Sequence, residues 1–289
     1  MDPLTRLEDP EAEPPVAVDA PAVRTTPFVF ASPHSGRAYT EELTRQTPVR
    51  LPILRRSEDA YVDRLFASAP RHGAPFVRAN FPRVFVDPNR GPEELDPDMF
   101  EPRARLSGEA SSRAAAGLGV VPRLAADGRA LYPGRIALEE ARRRIERYYA
   151  PYHAALRREI DRAATLFGEA VVIDCHSMPS ASARGADVVL GDRYGASCSR
   201  ALVARAEAAF RDIGFAVVRN RPYAGGYTTE HYGRPSRGVQ ALQIEINRGL
   251  YMDELAVSPS RGLASLSAAL DVWMGRMVLE SPASRIAAE

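Results

Sequence analysis

The chain has 289 residues, 45% of them hydrophobic and 26% charged, with a formal net charge of +1. That is soluble globular composition, long enough for one large α/β domain or two small ones, and the near-neutral charge provides no broad field to attract nucleic acid or a membrane surface. All 38 basic residues are arginine, which excludes a catalytic lysine, a Schiff base and a P-loop, and Cys175 and Cys198 form no CxxC pair, so neither a disulfide framework nor a cysteine zinc site is indicated.

Residues 1–24 carry five prolines and little to bury. They read as a disordered or loosely attached tail, and residues 25–289 as a single catalytic α/β domain. The N-terminus lacks the basic-then-apolar order of a secretion signal, and no apolar run approaches the roughly 18 residues that span a bilayer. A cytoplasmic location is the expectation.

Phe28 to Ala31 reads as a short buried strand that ends in Ser32-Pro-His-Ser-Gly36, so His34 stands where a strand gives way to a turn. Gly36 would let the backbone pass close to a bound group. Ser57 can cap a helix carrying Glu58, Asp59, Tyr61, Val62, Asp63, Leu65 and Phe66. Asp59 and Asp63 are four apart and would share a face; two acids near a helix start are ordinarily just favourable to its dipole. Ala74 to Ala79 and Arg83 to Asp87 read as strands, the second running into Asp87-Pro-Asn-Arg90, a proline-fixed turn. Residues 91–130 have no strong period and read as a loop-rich lid. Ala137 to Phe167 is helical by pattern, with Pro151 dividing or kinking it.

Ala170-Val-Val-Ile173 is a continuous apolar run leading into Asp174, Cys175, His176 and Ser177. It fits a buried strand of a parallel or mixed sheet, whose C-terminal end is where open α/β sheets place ligands. Ala186 to Leu190 and Ala216 to Arg219 read as further strands, Ser197 to Ile213 as an amphipathic helix, and residues 222–237 as a glycine- and tyrosine-rich loop. Val239 to Asn247 is a long strand with Gln243, Glu245 and Asn247 on one side. A helix from about Ser260 to Ile286 closes the chain. Strands alternating with helices predict an α/β fold: a mixed, mostly parallel central sheet with helices on both faces.

His34, His176 and a carboxylate from elsewhere make the set that a catalytic zinc takes, with one position left to water. Taken alone, His176 reads equally well as a capping histidine. Glu245 is a carboxylate inside an apolar strand and needs a partner, because desolvating a lone carboxylate is costly. It serves either as one half of a structural ion pair or as a base tuned by burial and a nearby metal.

Several segments together resemble the N-formylglutamate amidohydrolase family. They are Ser32-Pro-His-Ser-Gly36, Arg56-Ser-Glu-Asp-Ala-Tyr-Val-Asp63, Phe81-Pro-Arg-Val-Phe-Val-Asp-Pro-Asn-Arg90, Pro151-Tyr-His153, Asp174-Cys-His-Ser-Met-Pro-Ser180, Tyr232-Gly-Arg-Pro235 and Gln243-Ile-Glu-Ile-Asn-Arg-Gly-Leu-Tyr251. They run in order over about residues 28 to 255. That family is similar in fold to the zinc carboxypeptidase and aspartoacylase group, whose second-histidine segment looks like Asp174-Cys-His176 and whose Asp-x-Asn-Arg motif looks like Asp87-Pro-Asn-Arg90.

The resemblance implies one zinc ion per chain, held by His34 and His176. The carboxypeptidase group places a Glu three residues after its first histidine, where this chain has Arg37, so the carboxylate must come from elsewhere, and the helix start at 58–63 is the obvious source. Asp59 is preferred to Glu58, which lies closer to the apolar stripe, and Asp63 stays open. Glu245 would be the general base that passes a proton from water to the leaving amine. Asn89 and Arg90 would hold the α-carboxylate, a guanidinium matching it with two parallel hydrogen bonds, and Arg83 would stabilise the developing oxyanion. Tyr227 and His231 could cover the pocket, and Arg248 could contact a side-chain carboxylate. His153 reads as core-lining or substrate-contacting, and His72 as an exposed loop residue. The implied activity is hydrolysis of an N-formyl or small N-acyl group from an acidic amino acid, a small-molecule substrate. Alternatives are hydrolysis of another N-acyl amino acid or small peptide, or a metal-free carboxylate-binding module.

Overall fold

A computed structural model of the chain describes residues 13–102 and 111–279. Seven strands form one sheet: β1 (Val16–Asp19), β2 (Phe28–Ser32), β3 (Phe76–Ala79), β4 (Ala170–Met178), β5 (Val188–Gly191), β6 (Val217–Arg219) and β7 (Val239–Asn247), in the order β1-β3-β2-β4-β7-β5-β6. β2 runs parallel to β3 and β4, β4 to β7, and β5 to β6; β5 runs antiparallel to β7. The fold is therefore mixed α/β with a mostly parallel sheet, as the apolar runs predict. β2 and β4 are buried along their whole lengths, which is why their sequences are continuously apolar rather than alternating.

The chain partitions into two compact units. Among the described residues, the first comprises 13–17, 33–60, 79–102 and 111–154. Its core packs Phe81 and Phe85 edge-on to Tyr148 at 5.4 and 5.2 Å. Arg144 is fully buried, bonded to Glu140 and the Tyr132 hydroxyl at 2.6 Å, with its guanidinium 4.2 Å from the Phe85 ring centre. That is how an arginine enters a core: every face of the charge has a partner. The second unit comprises residues 18–32, 61–78 and 155–279. The helix Arg200–Arg211 starts at Ser199, whose hydroxyl accepts from Leu202 N–H at 3.2 Å. Its Phe210 stacks on Trp273 of the helix Gly262–Leu279 at 4.6 Å.

Several expectations are corrected. Residues 16–19 of the expected tail form strand β1, with Asp19 paired to Arg78 of β3 at 2.9 Å; residues 1–12 lie outside the described residues. Arg83 to Asp87 is not a strand. Phe85 N–H closes a turn on the Pro82 carbonyl at 2.9 Å, and the apolar Val84, Phe85 and Val86 are buried without pairing into the sheet. The helix expected from Ser57 shrinks to Val62–Leu65, because Tyr61 adopts a left-handed conformation (φ 68°) with its hydroxyl held by the Val257 carbonyl at 2.8 Å. Asp59 and Asp63 therefore do not share a helical face, and the Ser57 hydroxyl instead accepts from Ala126 N–H at 3.0 Å. Pro151 neither ends nor divides its helix: the turn before it widens into a π segment, Ile145–Tyr149, where Ala150 N–H reaches back five residues to Ile145. Such a turn absorbs a proline that has no N–H to give. The 222–237 loop contains a short helix, Tyr227–Tyr232. The last helix spans Gly262–Leu279, and its expected continuation past residue 279 lies outside the described residues. His72 is largely buried and paired with Asp271 at 2.8 Å.

Cys198 is buried, and burial, helped by the nearby Asp192 carboxylate, pushes its thiol up to about 12. A thiol so far from ionisation is a poor nucleophile. Iodoacetamide at pH 8 is expected to leave Cys198 unmodified in the native protein and to label it after unfolding in urea; rapid native labelling of Cys198, read by peptide mass spectrometry, would contradict this burial.

Candidate active site

β2 ends at Ser32, and the turn through His34 follows at once. Gly36 is required there by the protein itself: a Cβ on it would lie 2.2 Å from the Phe81 carbonyl oxygen and 2.7 Å from that of Ala79. His34 is 2% exposed. Its carbonyl accepts from Asp59 N–H at 3.0 Å, which ties the segment after the short turn Arg55–Ser57 onto the His34 turn. The His34 ring has two carboxylate neighbours, Asp87 Oδ1 at 2.7 Å from Nε2 and Asp59 Oδ2 at 3.4 Å from Nδ1.

Asp87 is the hub of the 83–90 turn. Its Oδ2 receives the Arg83 guanidinium at 2.6 Å and its Oδ1 receives Asn89 N–H at 2.9 Å. Burial works to raise the Asp87 carboxyl, but the Arg83 guanidinium, His34 and Arg90 outweigh it and hold the group well below the usual carboxylate range. Asp87 is thus ionised and can accept a hydrogen from His34 Nε2, the tautomer that leaves the Nδ1 lone pair on the Asp59 side. Arg83, expected at the oxyanion, has one guanidinium nitrogen committed to Asp87. Arg90 donates from Nε to the Leu118 carbonyl at 3.1 Å and from Nη1 to the Asn89 carbonyl at 2.8 Å, which sets its fork in one orientation. The turn is braced from behind by the Tyr149 hydroxyl on the Arg90 carbonyl at 3.0 Å, and by His153 Nε2 at 2.9 Å from the Pro88 carbonyl. His153 therefore supports the turn.

The β4–β7 register places His176 opposite Glu245 and Asp174 opposite Gln243. Register partners on parallel strands lie about 4.8 Å apart with side chains on one face, so two adjacent strands present Asp174, His176, Gln243 and Glu245 together. His176 Nε2 lies 3.0 Å from Asp174 Oδ2. Glu245 is 7% exposed and accepts from the Gln243 amide at 2.9 Å. Arg248 is buried and donates to the Ser177 hydroxyl at 3.2 Å and carbonyl at 3.3 Å. Tyr227 stacks on His231, with its hydroxyl 3.1 Å from His231 Nδ1.

His34, Asp59 and His176 form a buried group in which each offers one ligand atom, all within 4.8 Å of one another. Two imidazoles and a carboxylate are the donor chemistry of a catalytic zinc site. Each imidazole also has a buried carboxylate against its Nε2, Asp87 for His34 and Asp174 for His176, the arrangement that orients metal-binding histidines. The residues present thus fit a divalent cation. Glu58 is occupied by the Tyr39 hydroxyl at 2.8 Å and Arg55 Nε at 3.1 Å, and Asp63 is not part of the group. The partnership of Asp87 with His34 spans 53 positions and has no signal in the sequence. That of Asp174 with His176 does: two residues apart in a strand share a face.

The family model for N-formylglutamate amidohydrolase matches residues 26–252. The chain belongs to that family. This N-formylglutamate amidohydrolase family member is 32% identical over 238 residues to the N-formylglutamate deformylase of Pseudomonas aeruginosa, covering 80% of this chain and 84% of that protein. It is 30% identical over 236 residues to the N-formylglutamate deformylase of Pseudomonas putida, covering 79% and 82%. A crystal structure of N-formylglutamate amidohydrolase from Ralstonia eutropha superposes with a TM-score of 0.85 at 34% identity, covering 96% of this chain and 98% of that one.

Proposed function

We propose that this family member hydrolyses the formyl amide of N-formyl-L-glutamate to formate and glutamate at a divalent metal, zinc by preference, held by His34, Asp59 and His176. The observation that carries this reading is the buried imidazole–imidazole–carboxylate group, with Glu245 as the register neighbour of His176. The substrate follows from the names of the two Pseudomonas relatives.

A divalent ion there would supply Lewis acidity, polarising the formyl oxygen and, for zinc, bringing the pKa of the attacking water to about 7. The residues of the chain do the rest. The Glu245 carboxylate takes a proton from the water as its oxygen bonds to the formyl carbon, and returns it to the glutamate nitrogen as the C–N bond breaks. Asp87 and Asp174 hold the two imidazoles in place. Asn89 and Arg90 bind the substrate α-carboxylate. Arg83 neutralises Asp87 and stabilises the developing oxyanion. Tyr227 and Arg248 line the substrate side chain. Residues 25–289 act as one catalytic region in this reading, and a cytoplasmic location agrees with a small polar metabolite as substrate. No helix of the described residues is long and apolar enough to cross a membrane.

The test is release of formate and glutamate from N-formyl-L-glutamate, compared with N-acetyl-L-glutamate and N-formyl derivatives of neutral amino acids. Preference for the acidic formyl substrate is expected. Rates highest for an N-acetylated or neutral amino acid would move the reading to another amidohydrolase. Arg90→Ala is expected to raise KM about 10- to 100-fold, the worth of a charged hydrogen-bonded pair, with a smaller change in kcat. An unchanged KM would remove Arg90 from carboxylate binding.

A further inference from the structure

The mechanism uses Glu245 as a base, yet a buried carboxylate can offer its proton-accepting oxygen in many directions. Among the described residues, Gln243 is positioned to decide which. Gln243 is 4% exposed and Glu245 7%. They are two apart on β7, so their side chains share one face of the sheet. The Gln243 amide nitrogen donates to Glu245 Oε1 at 2.9 Å. The amide oxygen, also buried, accepts no hydrogen bond from the described residues. A buried amide ordinarily turns to satisfy both ends, and this one leaves its oxygen unmatched while its nitrogen serves Glu245. Reversing it would set the amide carbonyl oxygen against a carboxylate oxygen, so donation from the nitrogen is the orientation that pairs the two groups.

We propose that Gln243 is the positioning residue of the general base. Resting on the reading of Glu245 as base, the proposal is that the amide of Gln243 ties up Oε1, stops rotation of the carboxylate and presents Oε2 as the single proton acceptor. The register supports this, because it sets Gln243 opposite Asp174 and Glu245 opposite His176. The residue that aims the base thus sits beside the residue that aims the imidazole, one row along the same two strands. A group that orients a reacting residue acts on the rate of the chemical step more than on substrate affinity.

The experiment compares Gln243→Met, which keeps length and burial but cannot donate, and Gln243→Glu, which keeps shape but is acceptor-only when ionised, with the parent and with Glu245→Gln. The expected result for Gln243→Met is a kcat lower by about 10- to 100-fold, the usual cost of losing an orienting partner. Its KM should stay within about threefold of the parent, since orientation bears on kcat, and its metal content and melting temperature should be unchanged. Gln243→Glu is expected to lose at least as much kcat and serves as the reading if the Met variant does not fold. A parental kcat in Gln243→Met while Glu245→Gln is inactive overturns this proposal alone. A parental rate in Glu245→Gln overturns it together with the assignment of the base. Loss of activity that tracks loss of metal or melting temperature in both Gln243 variants makes the residue structural and also overturns it.

Discussion

Replacing Glu245 with glutamine is expected to lower kcat about 10²- to 10⁴-fold, the contribution of a positioned general base, while metal content stays at the parental level. The reasoning is geometric. Glu245 sits on β7 as the register neighbour of His176, but is not one of the three residues whose ligand atoms converge. Glutamine has almost the same volume and lacks only the ability to take a proton, so packing on the sheet is preserved. Stopped assays of formate release, with metal determined by inductively coupled plasma mass spectrometry on the same samples, read both halves. A rate near the parent would show that the proton goes elsewhere, and loss of metal would place Glu245 among the ligands.

Replacing His176 with alanine is expected to do the opposite: metal goes first, and activity follows it. Only the His34 and Asp59 ligand atoms would remain, and two donors do not make a closed or a catalytic zinc site. Even the loss of a partner one shell out costs about 10- to 100-fold in affinity, so removal of a ligand should exceed 100-fold. Alanine also takes from the fully buried Asp174 a neighbour at 3.0 Å, so a lower melting temperature is expected with the loss of metal. Competitive titration with a chromogenic chelator measures the affinity. A variant that binds zinc as tightly as the parent would remove His176 from the site.

Much of the site was legible because strands β4 and β7 announce themselves. Ala170 to Ile173 is a continuous apolar run, and Leu242, Ile244 and Ile246 alternate with Gln243 and Glu245; both patterns suit buried strands, and the polar residues in them stand out. His176 and Glu245 were visible for that reason, and His34 for the matching change from Phe28–Ala31 to a proline-glycine turn. Asp59, preferred within its segment as the third ligand, is the acid grouped with His34 and His176, but the helical reason for preferring it does not hold, since no helix runs from 58 to 66. A left-handed Tyr61, fixed by a carbonyl 196 positions away, ends the local pattern, and no periodicity encodes such a contact. The 83–87 segment misled for a related reason. Three consecutive apolar residues, Val84, Phe85 and Val86, describe a strand equally well as a turn that buries all three. The brace of Asp87 on His34 depends on tertiary proximity, so local patterns carry no trace of it, whereas the pairing of Arg83 with Asp87 is local and leaves a four-residue spacing.

The central claim is that His34, Asp59 and His176 hold one divalent cation. Anomalous diffraction at the zinc edge from crystals of the purified, active protein tests it most directly. The account predicts a single peak per chain, about 2.0–2.2 Å from one nitrogen of each histidine and one Asp59 oxygen. An active protein with no peak there, or with its ion bound by other residues, would contradict it.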